Sequence, residues 1–118
     1  DFATKTRKDD IPERIEQSKR AKELLDKFNC PKILCGDFNL WPHTESMRIL
    51  EKGMRNLIKK FDIYSTRSEF FKHKNRFADY VLASNDIKVN NFQILSETVS
   101  DHLPLYLDFD VDENIWFL

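Results

Sequence analysis

Three short stretches of the chain carry side chains whose types and spacing suit chemistry. The first is Gly36-Asp37-Phe38-Asn39, which ends the apolar run Ile33-Leu34-Cys35. If the chain stays extended there, Asp37 and Asn39, two residues apart, project to the same side. A carboxylate beside a carboxamide at a strand end suits a phosphate or a metal. It equally suits a turn, where Asp and Asn bond to their own backbone. The second is Asp79, set among Ala78, Tyr80, Val81 and Leu82. Strand interiors are poor in Asp, and a buried carboxylate is costly unless it is paired. Asp79 is therefore either a water-facing edge residue or a carboxylate that orients a histidine and favours one tautomer. The third is Ser100-Asp101-His102, which alone reads as a turn with a surface histidine but beside Asp79 supplies the missing partner. Together these groups are the parts of metal-assisted phosphoryl chemistry. One acid prepares a water, donors neutralise charge on phosphoryl oxygens, and a hard cation needs carboxylates.

The elements that must position these groups follow from pattern. Lys32 to Trp41 contains a short apolar run of the kind buried on both faces in the middle of a sheet, and Gly36 lets the backbone turn or come close to another group. Before it, Asp10-x-Pro12-Glu13 resembles a helix start with an acid cap, and Ala21, Leu24, Leu25 and Phe28 mark one apolar face of a helix over about 12–28. Asn29 and Pro31 end it. Thr44 is a suitable N-cap for a shorter helix that carries Met47, Leu50 and Met54 inward, with Gly53 near its end. Residues 56–66 fit neither period, and 68–76 are basic and aromatic, either a solvated loop or a segment lying over an anionic substrate. Three strands close the chain: Arg76–Ala83 with Asp79 in its middle, Ile87–Leu95 with a bulge at Asn90-Asn91 where the apolar parity switches, and the alternating run Leu103–Val111. The last residues, Ile115-Trp116-Phe117-Leu118, are expected to pack back on the domain.

Composition bounds the answer. With 118 residues, 41% of them hydrophobic and ten of them Phe, the chain suits one domain with a single core. A formal charge of −1 argues against a strongly basic nucleic-acid binder. Cys30 and Cys35 match no zinc spacing and lie too far apart along an extended link to bond, so free thiols in a reducing compartment, which favours the cytoplasm, are expected. No apolar run approaches the length of a membrane span. A start at Asp1 without methionine reads as a piece of something longer.

Gly36-Asp37-Phe38-Asn39, Ala78-Asp79-Tyr80-Val81-Leu82 and Ser100-Asp101-His102-Leu103-Pro104-Leu105 resemble, in order, the last three motifs of the endonuclease/exonuclease/phosphatase superfamily (deoxyribonuclease I-like). The resemblance runs from about Arg14 to Val111. It implies an α/β (α+β) fold in which residues 1–118 form the C-terminal half of a four-layer α/β/β/α sandwich, a mixed, mostly antiparallel sheet flanked by two helices. It implies that Asp37 orients or deprotonates the attacking water, that Asn39 holds a non-bridging oxygen, and that Asp79 hydrogen-bonds His102, which stabilises transition-state charge. Asp101 would lie near the divalent cation, Mg²⁺ or else Mn²⁺. The family's amino-terminal motifs, including the Glu that is the principal metal ligand, have no counterpart here. The expectations are therefore a phosphoesterase fragment inactive alone, and a missing N-terminal half or a second chain covering sheet residues such as Leu103, Leu105 and Leu107. The substrate is left open among nucleic acid, a lipid headgroup and a nucleotide. Trp41 is either a base-stacking residue or a packed corner. The competing reading is a non-catalytic α/β binding fragment that kept the sheet and lost the chemistry.

Overall fold

A computed structural model describes residues 9–68 and 77–111. In chain order the elements are helix α1 (Pro12–Asp26), strand β1 (Ile33–Asp37), helix α2 (Glu45–Glu51), strand β2 (Met54–Asn56), helix α3 (Leu57–Lys60), and strands β3 (Asp79–Ser84), β4 (Ile87–Ile94) and β5 (Leu105–Val111). One sheet has the order β1-β3-β2 and the other pairs β4 with β5, antiparallel throughout. The fold is α+β.

β3, not β1, is the central strand. The expectation that the Ile33 run lies buried in mid-sheet is corrected: Ile33 and Leu34 are half-buried, while Cys35, Gly36 and Asp37 are exposed. The reason lies in the two sequences. Tyr80 to Ser84 carry no charge and bury completely on both faces, whereas Gly36 and Asp37 bring too little apolar surface to do so. Asp79 is the first residue of β3 rather than its middle, so it escapes the penalty on a mid-strand carboxylate. The core gathers on β3: Tyr80, Val81 and Leu82 with Leu40, Met47, Leu50, Leu57, Ile58 and Phe92. Leu105 and Leu107, expected to be exposed, are half-buried against this cluster, and Leu103, outside β5, is half-buried too. Phe109 is exposed, although the alternation places it with them. The irregularity in β4 falls between Val89 and Asn91, as the parity switch requires.

The helices differ from the sequence reading in two instructive ways. α1 starts on Pro12 with no side-chain cap. Leu24 and Phe28 are 57% and 55% exposed, and α1 turns Ser18 and Ala21 inward instead, small residues that permit close approach to α2. Asp10 caps a different helix: its carboxylate accepts from the Glu45 N–H (2.7 Å), the Ser46 N–H (3.0 Å) and the Ser46 hydroxyl (2.8 Å). Thr44 is the N-cap of α2 as its type predicts, accepting from the Met47 N–H at 3.2 Å. Helix α2 therefore has two side-chain acceptors on its first turn, one local and one contributed from 35 residues away. Met54 belongs to β2 rather than to this helix. Both cysteines are free. Among the described residues no helix is long and apolar enough to cross a membrane. The segments 69–76 and 112–118, and with them the aromatic tail, lie outside the described residues.

The Asp10 contact carries a pH dependence. Partial burial raises its carboxyl pKa, but the hydrogen bonds from Ser46 and Glu45, with the charge of Arg48, outweigh this and hold it below its ordinary value of 3.8. A carboxyl depressed in the folded state stabilises the protein above its unfolded pKa, and that contribution fades as pH falls through the folded value. Asp10→Ala is expected to lower unfolding free energy by about 1 kcal/mol at neutral pH, the scale of a lost cap. In urea titrations the gap between variant and parent should close as the pH drops below that ordinary carboxylate value.

Candidate active site

The register of the first sheet sets Asp37 at the end of β1 directly opposite Asp79 at the start of β3. Opposed like charges in an antiparallel pair are unfavourable, so this register needs a third group. The ring of His102 lies between the two acids. Its Nδ1 lies 2.9 Å from Asp79 Oδ2 and 3.2 Å from Oδ1, and its Nε2 lies 3.8 Å from Asp37 Oδ2. Three parts of the chain far apart in sequence thus meet at one strand end.

The histidine is held there by a segment that sequence reasoning did not single out. Arg67 and His102 form an isolated antiparallel bridge, flanked by Ser68 N–H to Asp101 O and Leu103 N–H to Thr66 O, both 2.9 Å. The Ser68 hydroxyl donates to the Ser100 carbonyl. Thr66, fully buried, turns its Oγ1 to the other side and accepts from the Asp79 N–H at 3.2 Å and the Ala78 N–H at 3.3 Å. One short hydroxyl-rich run, Ser65-Thr66-Arg67-Ser68, therefore ties the loop of His102 to the strand of Asp79. The signal was faint: a single arginine among hydroxyl residues in a stretch with no clear period.

Arg67 also fixes the state of the imidazole. Its Nη1 is 2.8 Å from His102 Nε2 and 3.4 Å from Asp101 Oδ2. A guanidinium donates and never accepts, so Nε2 is the accepting nitrogen and Nδ1 carries the proton given to Asp79. That is the arrangement in which a carboxylate selects the tautomer. Asp79, its side chain 15% exposed, is paired with the imidazole rather than facing water at an edge.

The remaining predicted residues sit as follows. Asp37 is about half exposed. Asn39 does not continue the extended strand: its φ is 49°, in the left-handed region that Asn tolerates better than most, so the same-side projection expected of an i, i+2 pair does not apply. Its N–H donates to the Ala78 carbonyl at 3.2 Å, and its own carbonyl accepts from Arg14 Nη1 at 2.7 Å. Gly36 has a φ of 156°, and a Cβ there would stand 3.4 Å from the Phe38 ring. The Phe38 ring stacks on Tyr80 with centroids 5.7 Å apart. The buried Tyr80 hydroxyl donates to the Leu40 carbonyl at 2.5 Å, holding the loop beyond Asn39 against the sheet. Burial, then the charges of Glu51 and Asp79, push that phenol above its ordinary pKa. Trp41 is half-buried near His43 and Phe77 (centroids 6.2 and 6.4 Å).

Ligand atoms of Asp37, Asp79 and His102 all lie within 4.8 Å of one another. Two carboxylates with open lone pairs fit a hard divalent cation, which takes one or two protein carboxylates and completes its shell with water and substrate oxygens. Both imidazole nitrogens are already engaged, so among the described residues the oxygens of Asp37 and Asp79 are the donors at this strand end. Asp101 stands outside that triplet and pairs with Arg67.

Comparison with known proteins bears on the fold and the family. No curated protein matches the chain. Among solved structures, an endonuclease/exonuclease/phosphatase family protein from Bacteroides thetaiotaomicron superposes with a TM-score of 0.71 at 19% identity, over 86% of this chain and 44% of that one. A mannosyl-6-phosphatase from Bacteroides thetaiotaomicron VPI-5482 gives 0.62 at 21% identity, over 82% and 45%. The chain thus spans less than half the length of either structure. The Endonuclease/Exonuclease/phosphatase family matches residues 6–102, from before α1 through His102. With that match over most of its length, the chain belongs to the endonuclease/exonuclease/phosphatase family.

Proposed function

We propose that this chain supplies the water-activating and charge-stabilising half of a metal-dependent phosphoester hydrolase. The single observation that carries the reading is the convergence of Asp79, His102 and Asp37, with 2.9 Å on one side of the imidazole and 3.8 Å on the other. In the proposed step, Asp37 takes a proton from water as the water oxygen bonds to phosphorus. The bond from phosphorus to the ester oxygen breaks, and the leaving alkoxide gains a proton from solvent. Asp79 holds the imidazole of His102 at the place where phosphoryl charge builds up, and the Asn39 amide is assigned to a non-bridging oxygen. A divalent cation, Mg²⁺ or Mn²⁺, when bound beside Asp37 would supply electrostatic stabilisation of the phosphoryl group; Asp101 is assigned to the outer surroundings of that ion.

Family membership supports phosphoester hydrolysis as the reaction class, and one structural neighbour is itself a mannosyl-6-phosphatase. A phosphomonoester is therefore as admissible a substrate as a phosphodiester. The length relation to the solved structures supports the second part of the proposal, that the remaining metal ligand comes from an amino-terminal half or a second chain. Purified residues 1–118 are accordingly expected to show no Mg²⁺- or Mn²⁺-dependent release of nitrophenol from p-nitrophenyl phosphate or its bis ester. Robust turnover by that polypeptide would reject the half-domain reading.

A further inference from the structure

Arg67 stands where neither the family motifs nor the catalytic assignment above requires a cation. Its side chain is 9% exposed and its Nη1 approaches His102 Nε2 at 2.8 Å, on the side of the ring that faces Asp37. Two features make this more than a packing contact. The backbone bridge between Arg67 and His102 fixes the two residues relative to each other, and the Asp101 carboxylate, 3.4 Å from the same Nη1, steadies the guanidinium from the outside. The cation is thus held at the place where a phosphoryl group would meet the imidazole.

There is also a conflict of hydrogen-bonding roles. While Nε2 accepts from Arg67 it has no proton to offer a phosphoryl oxygen, and a guanidinium cannot reverse its role. An arriving phosphoryl group competes with Nε2 for the Arg67 N–H. Its anionic oxygens add charge attraction that a neutral imidazole nitrogen cannot offer, and they can take two parallel N–H bonds from one guanidinium. A guanidinium also has further N–H groups in a fixed fork suited to two oxygens at once.

We infer that Arg67 is a phosphoryl-binding residue of this site, resting on His102 Nε2 in the free protein and passing its N–H to a non-bridging phosphoryl oxygen when substrate or inorganic phosphate enters. The inference rests on the hydrolase reading and adds a second anchor to it: the phosphoryl group is gripped by a fork-shaped cation of this chain as well as by any metal. No bond is made or broken; one hydrogen bond changes acceptor.

The test is a titration of residues 1–118 with inorganic phosphate, without metal, followed by NMR of the His102 ring nitrogens and the Arg67 side chain. Saturable phosphate binding is expected to move both sets of resonances together. Arg67→Gln should weaken phosphate binding at least tenfold. Arg67→Lys should recover part of the loss, because it keeps the charge and gives up the fork. Amide spectra of both variants show whether the sheet is intact, and the lysine variant carries the test if the glutamine variant unfolds. Equal phosphate affinity in Arg67→Gln and parent, or a His102 ring that phosphate leaves unmoved, overturns the inference. The two readings fail separately. Unchanged phosphate affinity in Arg67→Gln, beside loss of turnover on His102→Ala in a two-half protein, removes only the role of Arg67. Lost phosphate affinity in Arg67→Gln, beside undiminished turnover in His102→Ala, removes only the catalytic role assigned to His102.

Discussion

His102→Ala, made in a polypeptide carrying both halves of the domain, is expected to lower phosphoester turnover by about a hundred- to a thousandfold while leaving the fold in place. A positioned acid–base group contributes about 10²–10⁴-fold, and a donor aimed at developing oxyanion charge contributes about 10²–10³-fold. His102 is asked for one of these roles, so its removal falls inside that span. The fold should survive because His102 is half-exposed and its loop is also held by backbone contacts, Ser68 N–H to Asp101 O and Leu103 N–H to Thr66 O. Asp37→Ala is expected to have an effect of similar size, on kcat more than on KM, because the proton it takes is transferred only as the reaction proceeds. Asp79→Asn is the finer probe. It keeps the shape and loses the charge that selects the Nδ1–H tautomer, so the rate should fall with little change in stability. Steady-state kinetics with circular dichroism on each variant decides. A His102→Ala protein that turns over like its parent would point instead to a binding fragment.

Leu82→Ala is expected to have the largest effect on stability, about 2–5 kcal/mol, the range for deleting most of a buried leucine. Leu82 is fully buried in the central strand, paired with Leu34 on one side and Asn56 on the other, so neither neighbour can collapse into the space without breaking register. A domain of this size is stable by only about 5–15 kcal/mol, so the variant should unfold at far lower urea, or already in buffer. Leu24→Ala makes the informative contrast. The helical pattern puts Leu24 on the apolar face, but it is 57% exposed, and exposed substitutions of this kind are usually within about 0.5 kcal/mol of neutral. Urea denaturation of the two variants side by side tests the burial assignment directly. Equal losses would mean that α1 packs through Leu24 after all.

Local chemistry was legible wherever one residue and its immediate neighbours decide the outcome. Thr44 is an N-cap because a hydroxyl at a helix start can reach the N–H three residues on. Asn90 marks the bulge because the apolar parity reverses across it. Asp10 shows the limit: an acid two residues before a helical proline reads as the cap of its own helix, yet it caps α2. Nothing local distinguishes these outcomes, because the deciding donors are 35 and 36 residues away.

Residue type and pattern were enough to mark the three motifs and the family they point to. Carboxylates, an amide and a histidine at strand ends are a matter of residue type and period, and both are written along the chain. The folded chain was needed to show that Asp37 faces Asp79 across a strand pair, that β3 rather than β1 takes the centre, and that Arg67 meets His102 Nε2. The physical reason is that register and burial depend on which strand has the most apolar surface to hide on two faces. That is a competition between distant segments, and no single segment records its result.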